Sequence, residues 1–233
     1  DHADLAAADH RRDQHRLAGQ ARGADGGGRV AGVAAGDALQ LPAVGRDQIG
    51  AGTTSQSSGI LRTHYSVVEN IELAQRSWHT FEHFAETLQD EDAAAGLVKC
   101  GYLIAVPDGP KLAPLREALA AQQARGIPID YLDAQQAAER LPICRFDDAA
   151  LIGFEPEAGF ADAYLVASSY ARAARRLGVR FMEGVAVTGL QREGARVTGV
   201  VTDAGVFHAP VVISTQNIWA GELQTWTGIR VPL

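Results

Sequence analysis

Apolar and polar positions divide the chain into a helical stretch and a stretch of strands. Over 66–91, apolar residues recur every three or four positions, which predicts a helix with one buried face. Ser66 and Glu69 form a capping-box pattern at its start. Further helices are predicted over 112–125, 133–141 and 163–177. Strands are predicted over 97–106 and, where the apolar period changes to two after Gly178, over 179–190, 196–202 and 206–208.

The order of these elements indicates an α/β protein with an interrupted nucleotide-binding domain. Val211–Ser214 is wholly apolar, which is typical of a short strand buried in a parallel sheet. The separate strand at 97–106 predicts a small insert between two parts of the main domain.

Residues 1–45 differ from the rest of the chain. They contain no Ile, Phe, Tyr, Trp, Met, Cys, Lys, Glu, Ser, Thr or Asn, and no strand is predicted there. Residues 26–32 (GGGRVAG) fit the dinucleotide pattern G-x-G-x-x-A, but no apolar strand precedes them, so a plain glycine-rich loop is the favoured interpretation. We expect residues 1–45 to be a misframed or disordered segment.

Charge and composition limit the classes of function. The net charge of −7 and the pI of about 5.5 argue against a nucleic-acid partner, which needs a basic face. No apolar run has the roughly 18–20 residues of a membrane span, and no leader pattern is present, so a cytoplasmic location is expected. Cys100 and Cys144 lack metal-type spacing, and His79 with His83 has no acidic third ligand, so no metal site is predicted.

A run of small polar residues offers the first candidate site. Residues 46–62 (RDQIGAGTTSQSSGILR) present many backbone N–H groups with little side-chain bulk. Such a surface can lie against a phosphate or a flat ring system. A plain Ser/Thr/Gly linker is the alternative that composition favours.

Several later segments occur in a distinctive order after this loop. They are residues 64–66 (HYS), 72–74 (ELA), 99–103 (KCGYL), 155–162 (EPEAGFAD), the strand pair at 185–201, 219–220 (WA) and 231–232 (VP). Together with the loop they resemble the D-amino-acid-oxidase-like FAD oxidoreductases, nearest the branch of sarcosine oxidase subunit beta and dimethylglycine dehydrogenase. The resemblance covers about residues 46–233.

This resemblance implies a fold and a reaction. It implies a Rossmann-like FAD-binding domain from 46–91 and 146–233, incomplete at its N-terminus, with 92–145 as an insert from an α+β substrate domain. The implied reaction is oxidation of the C–N bond of a small N-methylated, sarcosine-like amino acid, with hydride transfer to FAD. Other oxidase subunits are implied as partners, and we expect this chain alone to be inactive. A non-catalytic fragment or pseudo-enzyme and an NAD-binding module remain as alternatives.

The resemblance also assigns candidate site residues. Asp47 lies where an acidic residue would bind the adenosine ribose, and Val187 lies on the strand whose backbone holds adenine. Asn217 stands where the family usually has glycine near the cofactor, and Trp219 covers the same region unless it is ordinary core. The loop residues implied to lie beneath FAD are Gly50, Ala51, Gly52, Thr53, Thr54, Ser55, Gln56, Ser57, Ser58 and Gly59.

Arg62 is the one candidate catalytic residue. It matches an arginine that pairs with the substrate carboxylate in sarcosine-oxidising relatives, and a guanidinium fork suits that task. A surface arginine at a helix entry is the alternative.

Overall fold

The computed structural model describes residues 31–34 and 42–230, with side chains described over 42–230. These residues form two compact units, and each is described by itself. The first unit takes its described residues from Asp1–Ser57, Ala85–Ala94 and Ala163–Leu233. The second unit consists of Ser58–Phe84 and Ala95–Asp162.

The described residues of the first unit form two sheets. The strands are β1 (Ala31–Ala34), β2 (Pro42–Gly45), β9 (Arg180–Glu183), β10 (Val187–Glu193), β11 (Arg196–Thr202), β12 (Gly205–His208) and β13 (Val211–Ser214). One sheet has the order β13-β1-β2-β9, in which β2 and β9 are parallel and the other neighbours antiparallel. The strands β10, β11 and β12 form an antiparallel meander. Both sheets contribute to one apolar core, made of Val44, Val187, Val200 and Ala209.

The main helix of this unit, α5 (Ala163–Arg176), packs through small residues. Its buried positions are Ala167, Ser169, Ala171, Ala173 and Ala174. Two arginines at its C-terminal end contact one carboxylate: Arg172 Nε lies 2.6 Å and Arg176 Nη1 2.7 Å from Asp90 Oδ2. The hydrogen bond from Arg172 is the main reason that the pKa of Asp90 lies below its ordinary value. The unit ends with a 3-10 turn at Asn217–Trp219 and with α6 (Gly221–Thr227).

The second unit combines short helices with two antiparallel sheets. Its elements are β3 (Ile60–Leu61), α1 (Val68–Glu82), β4 (Val98–Lys99), β5 (Tyr102–Pro107), α3 (Leu112–Gln123), β6 (Asp130–Tyr131), α4 (Ala134–Arg140), β7 (Ala149–Glu155) and β8 (Gly159–Phe160). A short helix, α2 (Phe84–Leu88), starts with the last residue of the segment Ser58–Phe84, and its other residues belong to the first unit. The sheets have the orders β3-β8-β4 and β5-β7-β6. The central strand β7 is buried from Leu151 to Glu155: both of its edges are paired, and Leu151 and Ile152 pack into two separate apolar clusters. Ile71, Leu119, Ile127 and Ile129 pack with Leu151 into this unit's core.

Most predicted elements occur, with breaks that the pattern did not show. The helix predicted over 66–91 is two helices, α1 and α2, separated at His83, and α1 begins after Val67 without the side-chain cap expected from Ser66. The strand predicted over 97–106 is interrupted before Tyr102, where Gly101 has a φ of +79°. The capping box at Asp133 is present, with Gln136 as its partner.

Two expectations about the first sheet are wrong. Strands do occur before residue 46, since β1 and β2 form the middle of a sheet whose pairing supports segments of weak intrinsic propensity. Val211–Ser214 is not a buried parallel strand: it pairs antiparallel with β1 and ends the sheet's strand order, and two of its four residues are exposed.

The structure tests two other expectations only in part or not at all. Of the glycine-rich stretch, residues 26–30 lie outside the described residues, and Ala31 and Gly32 belong to a strand, whereas the dinucleotide pattern would start a helix there. The predicted domain boundaries after residues 91 and 145 stay a prediction. The two units are defined by their compactness, whereas the predicted domains are defined by whether they bind FAD or the substrate.

Candidate functional site

The small-residue loop follows directly after β2. Asp47 lies two residues past the end of that strand and pairs with Arg46, whose Nη2 is 3.1 Å from Asp47 Oδ2. Both side chains are partly exposed, so this ion pair contributes little to stability. The Asp47 carboxylate therefore stands at the carboxyl end of a parallel strand, where nucleotides commonly bind in α/β sheets.

The loop is shaped by backbone turns with few side-chain contacts. Gly50 and Gly52 have φ values of +82° and +81°. The Ser55 hydroxyl donates to the Gly52 carbonyl at 3.0 Å, and the Ala51 amide donates to the Gln48 carbonyl at 3.0 Å. Ala51, Gly52, Thr53 and Thr54 are half-buried, and Ser55, Gln56, Ser57 and Ser58 are exposed.

Gly59 ends the loop in close contact with a neighbouring segment. Its carbonyl accepts a hydrogen bond from the Ala161 amide at 2.9 Å. Its φ is +63°, and a Cβ built there would lie 2.0 Å from the Ala161 carbonyl oxygen. Only glycine fits this position without movement of the backbone.

We expect Gly59→Ala to destabilise the fold by roughly 3 kcal/mol, because left-handed strain adds to a backbone clash. Gly126→Ala is the matched control: Gly126 has a φ of +81°, but its added Cβ would meet nothing within 4 Å. The control should cost about 1–2 kcal/mol, from backbone strain alone. Urea unfolding of both variants checks this, and equal losses would show that the contact with Ala161 is unimportant.

Arg62 lies one residue beyond β3 and is held by aromatic and imidazole groups. We call Arg62, His64, Tyr65, Tyr102 and Glu155 the Arg62 cluster. The Arg62 guanidinium carbon is 5.1 Å from the centre of the Tyr65 ring and 5.4 Å from that of Tyr102. Its Nη1 lies 3.3 Å from His64 Nε2. These contacts fix a half-buried guanidinium, so Arg62 is not a free surface arginine.

Glu155 is the buried anion of the cluster. Its side chain is 1% exposed and lies at the end of β7. Oε1 accepts hydrogen bonds from the Thr63 amide at 2.9 Å and the Thr63 hydroxyl at 2.5 Å, and Oε2 is hydrogen-bonded to His64 Nδ1. Burial acts to raise the pKa of Glu155, but the hydrogen bonds from His64 and Thr63 outweigh it and hold that pKa below its ordinary value.

The lowered pKa of Glu155 predicts a direction of pH dependence. Because the pKa in the folded state lies below the ordinary 4.5, the ionised carboxylate stabilises the fold fully above pH 4.5. This contribution is lost as the pH falls through the pKa of the folded state. The melting temperature of the wild type should therefore exceed that of Glu155→Gln by a constant margin above about pH 5, and the margin should shrink below it. A margin that grows on acidification would contradict the assignment.

The remaining predicted residues lie in the first unit. Val187 is 2% exposed and packs in the core, so only its backbone could contact a cofactor. Asn217 has a φ of +49°, the left-handed conformation in which glycine is common and asparagine is tolerated. Trp219 is half-buried in the following 3-10 turn.

The roles of His64, Tyr102 and Glu155 were missed from the sequence. One signal was present: Glu155 follows an apolar run in β7, and a carboxylate at such a position needs buried donors. Its donors Thr63 and His64 lie more than 90 residues away in sequence, and no local pattern joins them.

Other candidate chemistry finds no site in the described part of the chain. No group of three or more His, Cys, Asp or Glu residues within 42–230 could hold a metal ion. His79 and His83 are both exposed, and Cys100 and Cys144 form no disulfide. Among residues 31–34 and 42–230, no helix combines the length and apolar character needed to cross a bilayer.

Comparison with known proteins identifies the class. The family described as FAD dependent oxidoreductase (DAO) matches residues 34–232, so the chain belongs to that family. The recognised resemblance and the FAD-binding fold are thereby confirmed, and FAD, not NAD, is the family's cofactor.

The relatives include amine-oxidising enzymes. The chain is 26% identical over 195 residues to mitochondrial sarcosine dehydrogenase of Mus musculus, covering 81% of this chain and 21% of that protein. It is 26% identical over 193 residues to sarcosine oxidase subunit beta of Arthrobacter sp, covering 78% and 45%. It is 24% identical over 185 residues to the formaldehyde-forming 4-methylaminobutanoate oxidase of Paenarthrobacter nicotinovorans, covering 79% and 22%. The chain thus spans between about a fifth and a half of these relatives.

Solved structures share the fold. L-proline dehydrogenase from P. horikoshii superposes with a TM-score of 0.72 at 21% identity, covering 80% of this chain and 49% of that one. Glycine oxidase from Geobacillus kaustophilus gives 0.71 at 22% identity, covering 81% and 52%.

The described residues fit FAD at the loop. Gly50 has no Cβ, and one built there would lie 2.9 Å from the Tyr164 ring, so backbone and ring are packed closely on one side. Residues 55–58 are exposed and have small or flexible polar side chains, a surface against which a phosphate or a ring system could lie.

Proposed function

We propose that this chain is part of an FAD-dependent oxidoreductase that oxidises the C–N bond of a small N-methylated, sarcosine-like amino acid. Family membership supplies the class of reaction. The preference for an amino acid over a simple amine rests on Arg62, and the preference for an N-methyl group rests on the sarcosine-oxidising relatives.

This proposal rests mainly on two nitrogens of the Arg62 guanidinium, Nε and Nη2, which form no hydrogen bond with the described residues. Among the described residues, Arg62 has one hydrogen-bond partner, His64, and that bond uses Nη1. Nε and Nη2 form the side-on fork that matches a carboxylate with two parallel hydrogen bonds. Two tyrosine rings and an imidazole keep the cation in place before a substrate arrives.

When bound, FAD would supply the oxidation as the hydride acceptor, and loss of the hydride equivalent would leave the substrate C–N bond as an imine. Water then hydrolyses the imine; for sarcosine oxidised at its methyl group, the products are formaldehyde and glycine. In this proposal Arg62 binds the carboxylate and orients the methylamine, and it takes no proton itself because a guanidinium stays charged.

We also propose roles for the cofactor residues. Asp47 accepts hydrogen bonds from the ribose hydroxyls, the Gly50–Gly59 loop runs beneath the phosphates and the flavin, and the Val187 backbone contacts adenine. Asn217 and Trp219 line the same cofactor. A match to an enzyme named as a subunit supports the further proposal that other oxidase subunits assemble with this one.

We further propose that the 233-residue chain by itself retains FAD weakly and turns over no substrate. The sequence before residues 26–32 has no apolar run of the kind that forms a first strand and aims a helix N-terminus at the pyrophosphate. The flavin absorbance that remains after purification tests this. Tight, stoichiometric flavin in the purified chain would overturn it.

A substrate panel tests the proposed reaction in the complete protein. Sarcosine, dimethylglycine, glycine and L-proline should be compared at equal concentration by the rate of flavin reduction, with formaldehyde and glyoxylate assayed as products of the first three. The proposal predicts the highest kcat/KM for the N-methylated acids, with formaldehyde as product. Faster oxidation of glycine or L-proline would assign a different substrate class, and no oxidation of any amino acid by flavin-loaded protein would favour a pseudo-enzyme.

A further inference from the structure

Arg62 is connected to a buried carboxylate through one imidazole ring. Arg62 Nη1 lies 3.3 Å from His64 Nε2, and His64 Nδ1 is hydrogen-bonded to Glu155 Oε2. A guanidinium nitrogen only donates, so Nε2 must be the acceptor and carry no hydrogen. The ring hydrogen is then on Nδ1, from which it is donated to the carboxylate. One neutral tautomer of His64 therefore satisfies both contacts at once.

The far end of this connection is rigid. His64 is 5% exposed and Glu155 is 1% exposed. The second carboxylate oxygen of Glu155 is held by the amide and the hydroxyl of Thr63. The carboxylate therefore has no freedom to turn away from His64 without breaking buried hydrogen bonds, which are costly to leave unmade.

Resting on the proposed function, we infer that Glu155 and His64 are positioning residues for the substrate carboxylate. Glu155 holds His64 in the Nδ1–H tautomer, and His64 holds Nη1 of Arg62. The hydrogen bond to His64 prevents the guanidinium from rotating within its own plane, so that Nε and Nη2 face the ligand. The rings of Tyr65 and Tyr102 contact the guanidinium as well. If the hydrogen moved to Nε2, an N–H group of His64 would face the N–H groups of Arg62, and the hydrogen bond between the two side chains would be lost.

A merely structural role for Glu155 makes a different prediction. A buried carboxylate that only stabilises the fold also needs the Nδ1 hydrogen of His64, but it predicts that variants which still fold bind a carboxylate ligand as the wild type does. The Nδ1–H tautomer is therefore a requirement of the positioning role, and ligand binding by folded variants distinguishes positioning from structure.

The first measurement needs no flavin and uses the 233-residue chain. Nitrogen-15 NMR of the His64 ring reports which nitrogen carries the hydrogen. We expect the neutral Nδ1–H form in the wild type. In Glu155→Gln, the side-chain NH2 must face either His64 or Thr63. Where it faces His64, Nδ1 has to accept its hydrogen, so we expect a measurable population of the Nε2–H form. A wild-type ring that is mainly Nε2–H or fully protonated near neutral pH would overturn the inference.

The second measurement uses the complete flavin-loaded protein and an unreactive ligand. Methoxyacetate has the shape and carboxylate of sarcosine but an ether oxygen in place of the amine, and its binding is followed through the flavin spectrum. The matched variants are His64→Asn, whose amide overlays the Nδ1 half of the ring, and His64→Gln, whose amide reaches the Nε2 position. We expect about tenfold weaker binding for His64→Asn and less than about threefold for His64→Gln.

Arg62→Ala tests the carboxylate anchor separately from the positioning role of His64 and Glu155. If Arg62→Ala binds methoxyacetate as well as the wild type does, the proposed carboxylate anchor is wrong. If Arg62→Ala weakens binding while His64→Asn and His64→Gln bind equally well, the anchor stands and the positioning chain is overturned. Methoxyacetamide, which lacks the negative charge, should be insensitive to all three variants.

Discussion

Replacing Arg62 by alanine in the complete, flavin-loaded protein is expected to lower kcat/KM for sarcosine by about 30- to 1000-fold, on the order of 2–4 kcal/mol. The reason is that the variant removes a charge-assisted, two-bond partner of the substrate carboxylate. Flavin content should not change, because the proposed contact is with the substrate and not with FAD. Steady-state kinetics with the flavin spectrum as a reference measures both quantities.

An exposed arginine of the same unit provides the control. Arg145 pairs with Asp147 at 2.9 Å, and its side chain is 89% exposed. Arg145→Ala removes one positive charge but no buried contact, so it should leave kcat/KM unchanged. If Arg62→Ala loses flavin while turnover per bound flavin is preserved, Arg62 belongs to the cofactor site or to the fold.

Replacing Glu155 by alanine is expected to lower the free energy of unfolding by about 3–5 kcal/mol. The carboxylate is 1% exposed and accepts hydrogen bonds from Thr63 and His64. Its removal leaves those buried donors without a partner and opens a cavity beside them. Urea denaturation at neutral pH, with the transition monitored by far-ultraviolet circular dichroism, measures the loss.

Glu157 is the matched control for this variant. It lies two residues further along the chain and accepts from Lys99 Nζ at 2.6 Å, but its side chain is 52% exposed. Because solvent screens this ion pair, Glu157→Ala should cost less than about 1 kcal/mol. Similar losses for Glu155→Ala and Glu157→Ala would show that burial of the Glu155 carboxylate does not matter.

Local sequence pattern predicted the elements well where each is determined by its own residues. The strand at 196–202 and the Asp133 cap of α4 occur as predicted, because turn chemistry and capping act over a few residues. The break at His83 and the strands β1 and β2 were not predicted. Their conformations depend on packing and on strand pairing, which override weak local preferences.

The candidate site likewise combines residues that are close in sequence with residues that only long-range pairing brings together. The resemblance assigned Arg62 and the loop as site residues because they lie close together along the chain, and this assignment stays a prediction. It assigned no role to Glu155 or Tyr102, which reach the Arg62 cluster only through the pairing of β5 with β7 and of β3 with β8. Long-range pairings of this kind leave no periodic signal in one sequence.

Anaerobic reduction of the bound flavin tests the central claim most directly. The complete, flavin-loaded protein should be mixed with sarcosine and, separately, with N-methylethylamine, which keeps the methylamine but lacks the carboxylate. The account predicts that sarcosine bleaches the oxidised flavin rapidly, that N-methylethylamine does so at least about 30-fold more slowly, and that Arg62→Ala removes most of this difference. Equal reduction by the two amines in the wild type would contradict a carboxylate anchor at Arg62.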